Sequence, residues 1–197
     1  MDTYLSSNEL SELGFSQIGS NVKISRKASI YEPEKLRTGD NVRIDDFCIL
    51  SGNVVLASNI HISAFCALYG KFGIKMEEYS GLSPRCTLLS GSDDFSGDSM
   101  ISPMAPEEFT NVFGSPIVIR KFCQIGAGSI VMPGVTVNEG AAIGALSLVK
   151  KDIPEWSIYA GNPARFIKAR RKEMLEKYAQ IAQRSVRKNT NIEKEDI

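Results

Sequence analysis

The chain has 197 residues, 43% of them hydrophobic, which suits one domain with a short appendage. Its 23 basic and 23 acidic residues cancel, so no basic field recruits nucleic acid and no acidic tail is evident. No apolar run approaches the ~20 residues a membrane-spanning helix needs. Met1-Asp2-Thr3-Tyr4-Leu5 also lacks the start of a secretory signal, so the cytoplasm is the expected location.

Residues 1–17 place Leu10, Leu13 and Phe15 behind a polar Ser6-Ser7-Asn8-Glu9 stretch. Ser7 or Asn8 is expected to cap a short helix that closes the open end of the following structure. A substrate-binding arm is the alternative. From Ile18 a six-residue period begins with Ile24 and Ile30. After a two-residue insertion near Glu32-Pro33 it continues through Thr38, Ile44, Leu50, Leu56, Ile62 and Leu68. A second insertion at Lys71-Phe72-Gly73 precedes Met76, Leu82 and Leu88. The period then vanishes between Ser90 and Ser115, and resumes at Ile119, Ile125, Val131, Val137, Ile143 and Val149.

A period of six fits neither the 3.6 of an α-helix nor simple alternation. It is the pattern of a solenoid of short strands, in which one aliphatic side chain per rung points inward and stacks on the next rung. The expected fold is an all-β solenoid over residues 18–153, with residues 89–115 protruding as a loop. A loop of that length inside a repeat is more often functional than idle. Cys48, Cys66, Cys86 and Cys123 each fall four residues after an inward position and form no C-x-x-C pair. They are expected to be buried, reduced packing residues.

Lys150-Lys151-Asp152-Ile153-Pro154 is expected to end the coil, and the Tyr159–Arg165 segment to turn. A helix is predicted from Phe166 to about Arg184, within a C-terminal unit of residues 154–185, followed by a polar tail over 186–197.

Two groups carry candidate chemistry. His61 is the only histidine and immediately precedes inward-pointing Ile62, so on a strand it faces outward. It is a candidate general base. Asp93 and Asp94 lie in the long loop. An ordinary carboxylate is a poor base near neutrality, so they are candidates for orienting a base or holding an acceptor amine or hydroxyl.

The hexads Ile125-Gly126-Ala127-Gly128-Ser129 and Ile143-Gly144-Ala145, with Val149-Lys150-Lys151-Asp152 and Ala160-Gly161-Asn162-Pro163-Ala164-Arg165, resemble the hexapeptide-repeat acyltransferases. The likeness is strongest to the galactoside and maltose acetyltransferase branch and to surface-polysaccharide acetyltransferases. It implies a left-handed parallel β-helix of triangular section, acetyl-CoA as acyl donor, a sugar acceptor, no metal, and a homotrimer with sites between subunits. It further implies that small Ala127 and Ala145 admit the pantetheine arm, that Lys150 lies near the adenine end, and that Arg165 and Lys168 meet phosphates. An oxyanion donor at the Ala127 N–H follows by the same analogy. The sequence departs from the family where the loop position usually filled by the catalytic histidine holds Asp94. That departure favours an amine acceptor, which needs less help from a base than a hydroxyl, unless His61 is the base. The acceptor is therefore a hydroxyl or amino sugar, free, nucleotide-linked or part of a polysaccharide precursor. Two other readings stand beside it. A zinc hydratase on the same coil needs several histidines where this chain has one. A non-enzymatic scaffold explains the hexads but neither the loop nor the Asn-Pro-Ala-Arg end.

Overall fold

The computed structural model describes residues 3–183. Its body is a parallel β-solenoid with three strand-bearing faces per coil. The first face pairs Lys23–Ile24, Val42–Ile44, Ile60–Ile62, Gly81–Leu82, Gln124–Ile125, Ala142–Ile143 and Ser157–Ala160 in parallel. The second and third faces are joined by two long strands, Ile49–Leu56 and Ala67–Met76, which bend from one face to the next.

The register explains the six-residue period. Ile24, Ile44, Ile62, Leu82, Ile125 and Ile143 lie directly above one another and are at most 4% exposed. The inward positions of the other two faces, including Leu50, Leu68, Leu88, Met76 and Ile119, are equally buried. Each coil buries too few side chains to stand alone, so stability comes from stacking on its neighbours. Both insertions fall at rung corners. Pro33–Lys35 forms a one-turn 3-10 helix, and Gly73 takes the left-handed φ of 104°. The four cysteines are free and buried in the column predicted for them. Each thiol donates to a backbone carbonyl, for example Cys123 Sγ to the Asn138 oxygen at 3.0 Å.

The N-terminal helix, Ser7–Glu12, covers the first coil with Leu10, as expected of a cap. Its N-cap is Ser6 rather than Ser7 or Asn8. Glu9 lies three residues after Ser6 and completes a capping box by accepting from the Ser6 amide at 2.8 Å.

At the other end the sequence expectation needs correcting. Residues 166–169, predicted to open the helix, belong instead to a strand, Arg165–Ala169, antiparallel to Ser157–Ala160, and the helix begins only at 174. The last coil leaves an unpaired edge, and this returning strand covers it. Arg170 completes the seal by donating to the carbonyls of Phe122 at 2.8 Å and Gly140 at 2.9 Å. The predicted polar tail, 186–197, lies outside the described residues.

Between Thr87–Leu89 and Ile117–Ile119 the chain leaves the coil as the expected long loop. Its base is a small antiparallel ribbon pairing Gly91–Ser92 with Phe113–Gly114. No helix among the described residues is long and apolar enough to cross a membrane.

Candidate active site

His61 sits on the first face with its imidazole outward and half exposed. The register sets Arg43 directly beside it on the preceding coil, and Asp45 lies two residues further on. His61 Nε2 lies 2.7 Å from Asp45 Oδ2, while Arg43 Nε donates to the other carboxylate oxygen at 2.6 Å. The Asp45 side chain is only 16% exposed. Burial works to raise its pKa, but the hydrogen bonds from His61 and Arg43 outweigh that and hold it below the ordinary carboxylate value. The result is a partly buried carboxylate orienting an exposed imidazole. Asp45 escaped the sequence reading. The signal was available, since three hexads make one coil and set residue 43 beside residue 61.

The loop acids lie elsewhere. Asp94 accepts from the Ser96 amide at 2.8 Å, and this hydrogen bonding within the loop lowers its pKa. Asp93 lines a polar cleft of about 570 Å³ with Lys71, Glu107 and Asn111. Within one chain the bonded partner of His61 is Asp45, not a loop aspartate.

Further down the solenoid the side chains shrink. Ala127 and Ala145 occupy equivalent positions on consecutive coils, tied by Leu146 N–H donating to the Ala127 carbonyl at 2.8 Å. The amides of Ala127 and Ala145 donate to no acceptor among the described residues. A Cβ on Gly126 would fall 2.6 Å from the Ala145 nitrogen, so the coils here are in close contact. These features leave small side chains and two backbone donors without acceptors among the described residues along this part of the coil.

A cleft of about 470 Å³ lies at the end of the coil. It is lined by Lys150, Lys151, Tyr159, Ala164, Arg165 and Phe166, among others. Tyr159 and Phe166 meet edge to face at 5.7 Å. Arg165 has no carboxylate partner among the described residues. Cations beside aromatic rings suit a phosphorylated, base-bearing ligand. Lys150 and Arg165 line this one cleft, joined by Lys151, which the sequence reading passed over. Lys168 lines a neighbouring cleft with Arg170 and Arg171. Among the described residues no cluster of three or more His, Cys, Asp or Glu side chains is placed to hold a metal ion.

No family model matches the chain. Individual proteins do. A dTDP-4-amino-4,6-dideoxy-D-glucose acyltransferase of Escherichia coli is 42% identical over 176 residues, 88% of this chain and 92% of its own. WcaF of Escherichia coli K12, named as a colanic acid biosynthesis acetyltransferase, is 31% identical over 78% of this chain and 69% of its own. Among solved structures, AntD, an N-acyltransferase of Bacillus cereus, is 43% identical with a TM-score of 0.91, covering 94% of this chain and 99% of its own. That crystal holds dTDP and 3-hydroxybutyryl-CoA, and others hold dTDP-4-amino-4,6-dideoxyglucose with coenzyme A, or an AntD variant with an aspartate replaced.

The chain therefore belongs to the hexapeptide-repeat acyltransferases, the left-handed parallel β-helix enzymes. Within them it is an acyl-CoA-dependent sugar acyltransferase of the surface-polysaccharide branch, which sets the scaffold reading aside.

Proposed function

We propose that this protein transfers an acyl group from acyl-CoA to the amino group of a nucleotide-linked deoxyamino sugar, with dTDP-4-amino-4,6-dideoxyglucose as the model acceptor. The observation carrying this reading is its similarity, over nearly the full length of both chains, to an N-acyltransferase solved with that sugar nucleotide and coenzyme A. The chemistry available on the coil agrees with it.

The amine nitrogen attacks the thioester carbonyl carbon, a C–N bond forms, and the C–S bond breaks as coenzyme A leaves. The nitrogen must shed one proton. With His61 Nε2–H donated to Asp45, Nδ1 keeps its lone pair and takes that proton. The Ala127 N–H, without an acceptor among the described residues, steadies the oxyanion. Lys150, Lys151 and Arg165 hold the coenzyme phosphates, with Lys168 at the edge of that site, and Tyr159 and Phe166 flank the adenine.

We assign the loop carboxylates, Asp94 foremost and Asp93 beside it, to holding the acceptor amine in a site completed by a neighbouring subunit. The aspartate variants of AntD support giving such a carboxylate a part. A homotrimer is supported by the loop, where Phe95 and Met104 stand 82% and 89% exposed, apolar surface that a second chain would cover. We place the reaction in the cytoplasm, where CoA thioesters are available.

The test is a thiol-release assay with acetyl-CoA and 3-hydroxybutyryl-CoA, offering the dTDP amino sugar or dTDP-glucose, which has hydroxyls only. Turnover of the amino sugar alone, with the mass gain of one acyl group on the sugar nitrogen by mass spectrometry, is expected. Acylation of the hydroxyl sugar with the amino sugar untouched overturns the proposal.

A further inference from the structure

The two corners flanking the first face are built from different chemistry. The corner before it carries Asn21, Asn41 and Asn59 in the left-handed conformation, with φ of 51°, 55° and 61°. Their amides form a ladder, Asn21 to Asn41 at 2.8 Å and Asn41 to Asn59 at 3.2 Å. Asparagine tolerates that conformation. Lower on the same corner stand Tyr79, Phe122 and Trp156, also at positive φ. Those rings are packed under the chain's own C-terminal segment, with Tyr178 5.2 Å from Tyr79 and 5.0 Å from Phe122.

The corner after the first face holds Phe47, Phe65 and Arg85 at φ of 60°, 63° and 64°. Bulky side chains avoid this region of backbone space unless something holds them there. Phe47 and Phe65 stack with centroids 4.9 Å apart and planes 23° from parallel. The Lys27 ammonium lies 5.3 Å from the Phe47 centroid, and the Arg85 guanidinium 5.6 Å from that of Phe65. Here no helix among the described residues returns to cover the rings, which are 49% and 50% exposed. Lys27 is neutralised by Asp46 at 3.0 Å. Arg85 has no carboxylate partner among the described residues.

The ladder is also well placed and firmly held. Phe65 N–H donates to Asp46 and Arg85 N–H to Ala64, tying consecutive corners at 3.0 and 3.1 Å. On the next coil Gly128 N–H donates to Pro84 at 3.0 Å, so the column continues into the coil that carries Ala127. His61 lies on the adjoining face, four residues before Phe65. An unpaired guanidinium held over exposed rings offers an anion site beside a stacking surface. A nucleoside diphosphate presents that pair of groups. The phosphates of coenzyme A are assigned above to other cations, those of the Lys150–Arg165 cleft at the end of the coil.

We propose that Phe47, Phe65 and Arg85 form the subsite for the nucleoside diphosphate of the sugar-nucleotide acceptor. Arg85 holds the diphosphate, the ring pair takes the base, and the sugar then extends along the corner toward the acyl donor. This rests on the acceptor being nucleotide-linked, as proposed above.

The experiment is calorimetric titration of the wild-type protein, Phe65→Leu and Arg85→Met with three probes: dTDP, inorganic pyrophosphate and coenzyme A. Sedimentation and thermal unfolding confirm that each variant keeps its assembly and fold, and Arg85→Lys serves as a partial rescue. Arg85→Met is expected to weaken dTDP and pyrophosphate at least tenfold. Phe65→Leu should weaken dTDP by a similar factor and leave pyrophosphate within twofold. Coenzyme A should bind all three proteins alike. If both variants bind dTDP as the wild type does, this subsite is overturned while the acyltransfer reading stands. Weakened coenzyme A with dTDP unchanged would give the ladder to the donor, and loss of assembly with dTDP unchanged would make it a subunit contact. Either result overturns the proposal. A wild type that acylates only free amino sugars and ignores dTDP defeats both the subsite and the nucleotide-linked acceptor.

Discussion

Asp45 shows how much a single residue depends on its neighbours here. It is held ionised by His61 and Arg43 against the effect of its own burial. Asp45→Asn keeps the shape but removes the carboxylate that fixes the imidazole. The expected result is a kcat roughly 10- to 100-fold lower with KM for acyl-CoA unchanged, and His61→Ala should fall at least as far. Steady-state kinetics separate these outcomes. A fall in KM affinity alone would mean the pair binds rather than reacts. At the proposed donor end, Arg165→Ala should weaken coenzyme A by about tenfold, and Ala145→Trp should block the path proposed for the pantetheine arm, both read by calorimetry. Thr38 makes a different case. It fills an inward slot of the repeat, is 2% exposed, and its hydroxyl has no hydrogen-bond partner among the described residues. Thr38→Val should stabilise the protein by about 1 kcal/mol in denaturant unfolding, because a buried unpaired hydroxyl is costly. The cysteines contribute packing only. Burial pushes the Cys123 thiol up to about 12, so the native protein should leave it unmodified by iodoacetamide at neutral pH.

At the scale of the element, the caps matter because a solenoid has open ends. The Ser7–Glu12 helix is fixed by the Ser6–Glu9 box and by the ion pair of Glu9 with Arg26. Those bonds, with that to Arg26 the largest cause, lower the Glu9 pKa to about 2. A depressed carboxylate stabilises the fold above its unfolded value and loses that effect as pH falls through the folded one. Glu9→Gln should therefore raise amide exchange in this helix at pH 6. The difference from wild type should close as pH falls from 4.5 to about 2. A difference that persists at the acid end would mean that the glutamate acts through packing. The long loop is the other element with a distinct part, since its Asp94 is bonded locally and leaves the coil of its own chain.

For the molecule as a whole, the six-residue period was legible because every sixth side chain faces the same interior column. A repeated burial constraint writes itself into sequence as a repeated residue type. The column of Ile24, Ile44 and Ile62, the cysteine slots, the corner insertions and the protruding loop all followed from that constraint. His61 was readable as outward-facing for the same reason, and the small and cationic residues of the donor end through their likeness to a family. The partner of His61 is set by how coils stack, so Asp45 became visible only once the register was known. The return strand Arg165–Ala169 has helix-like local composition, and its state is decided by the open edge it covers. The aromatic and cationic corner was likewise unreadable along the chain, because Phe47, Phe65 and Arg85 are neighbours only across coils. Sequence alone determined what repeats along one coil, because burial acts on each residue locally. Tertiary structure decided what meets between coils, because those contacts depend on distances that the chain order does not contain.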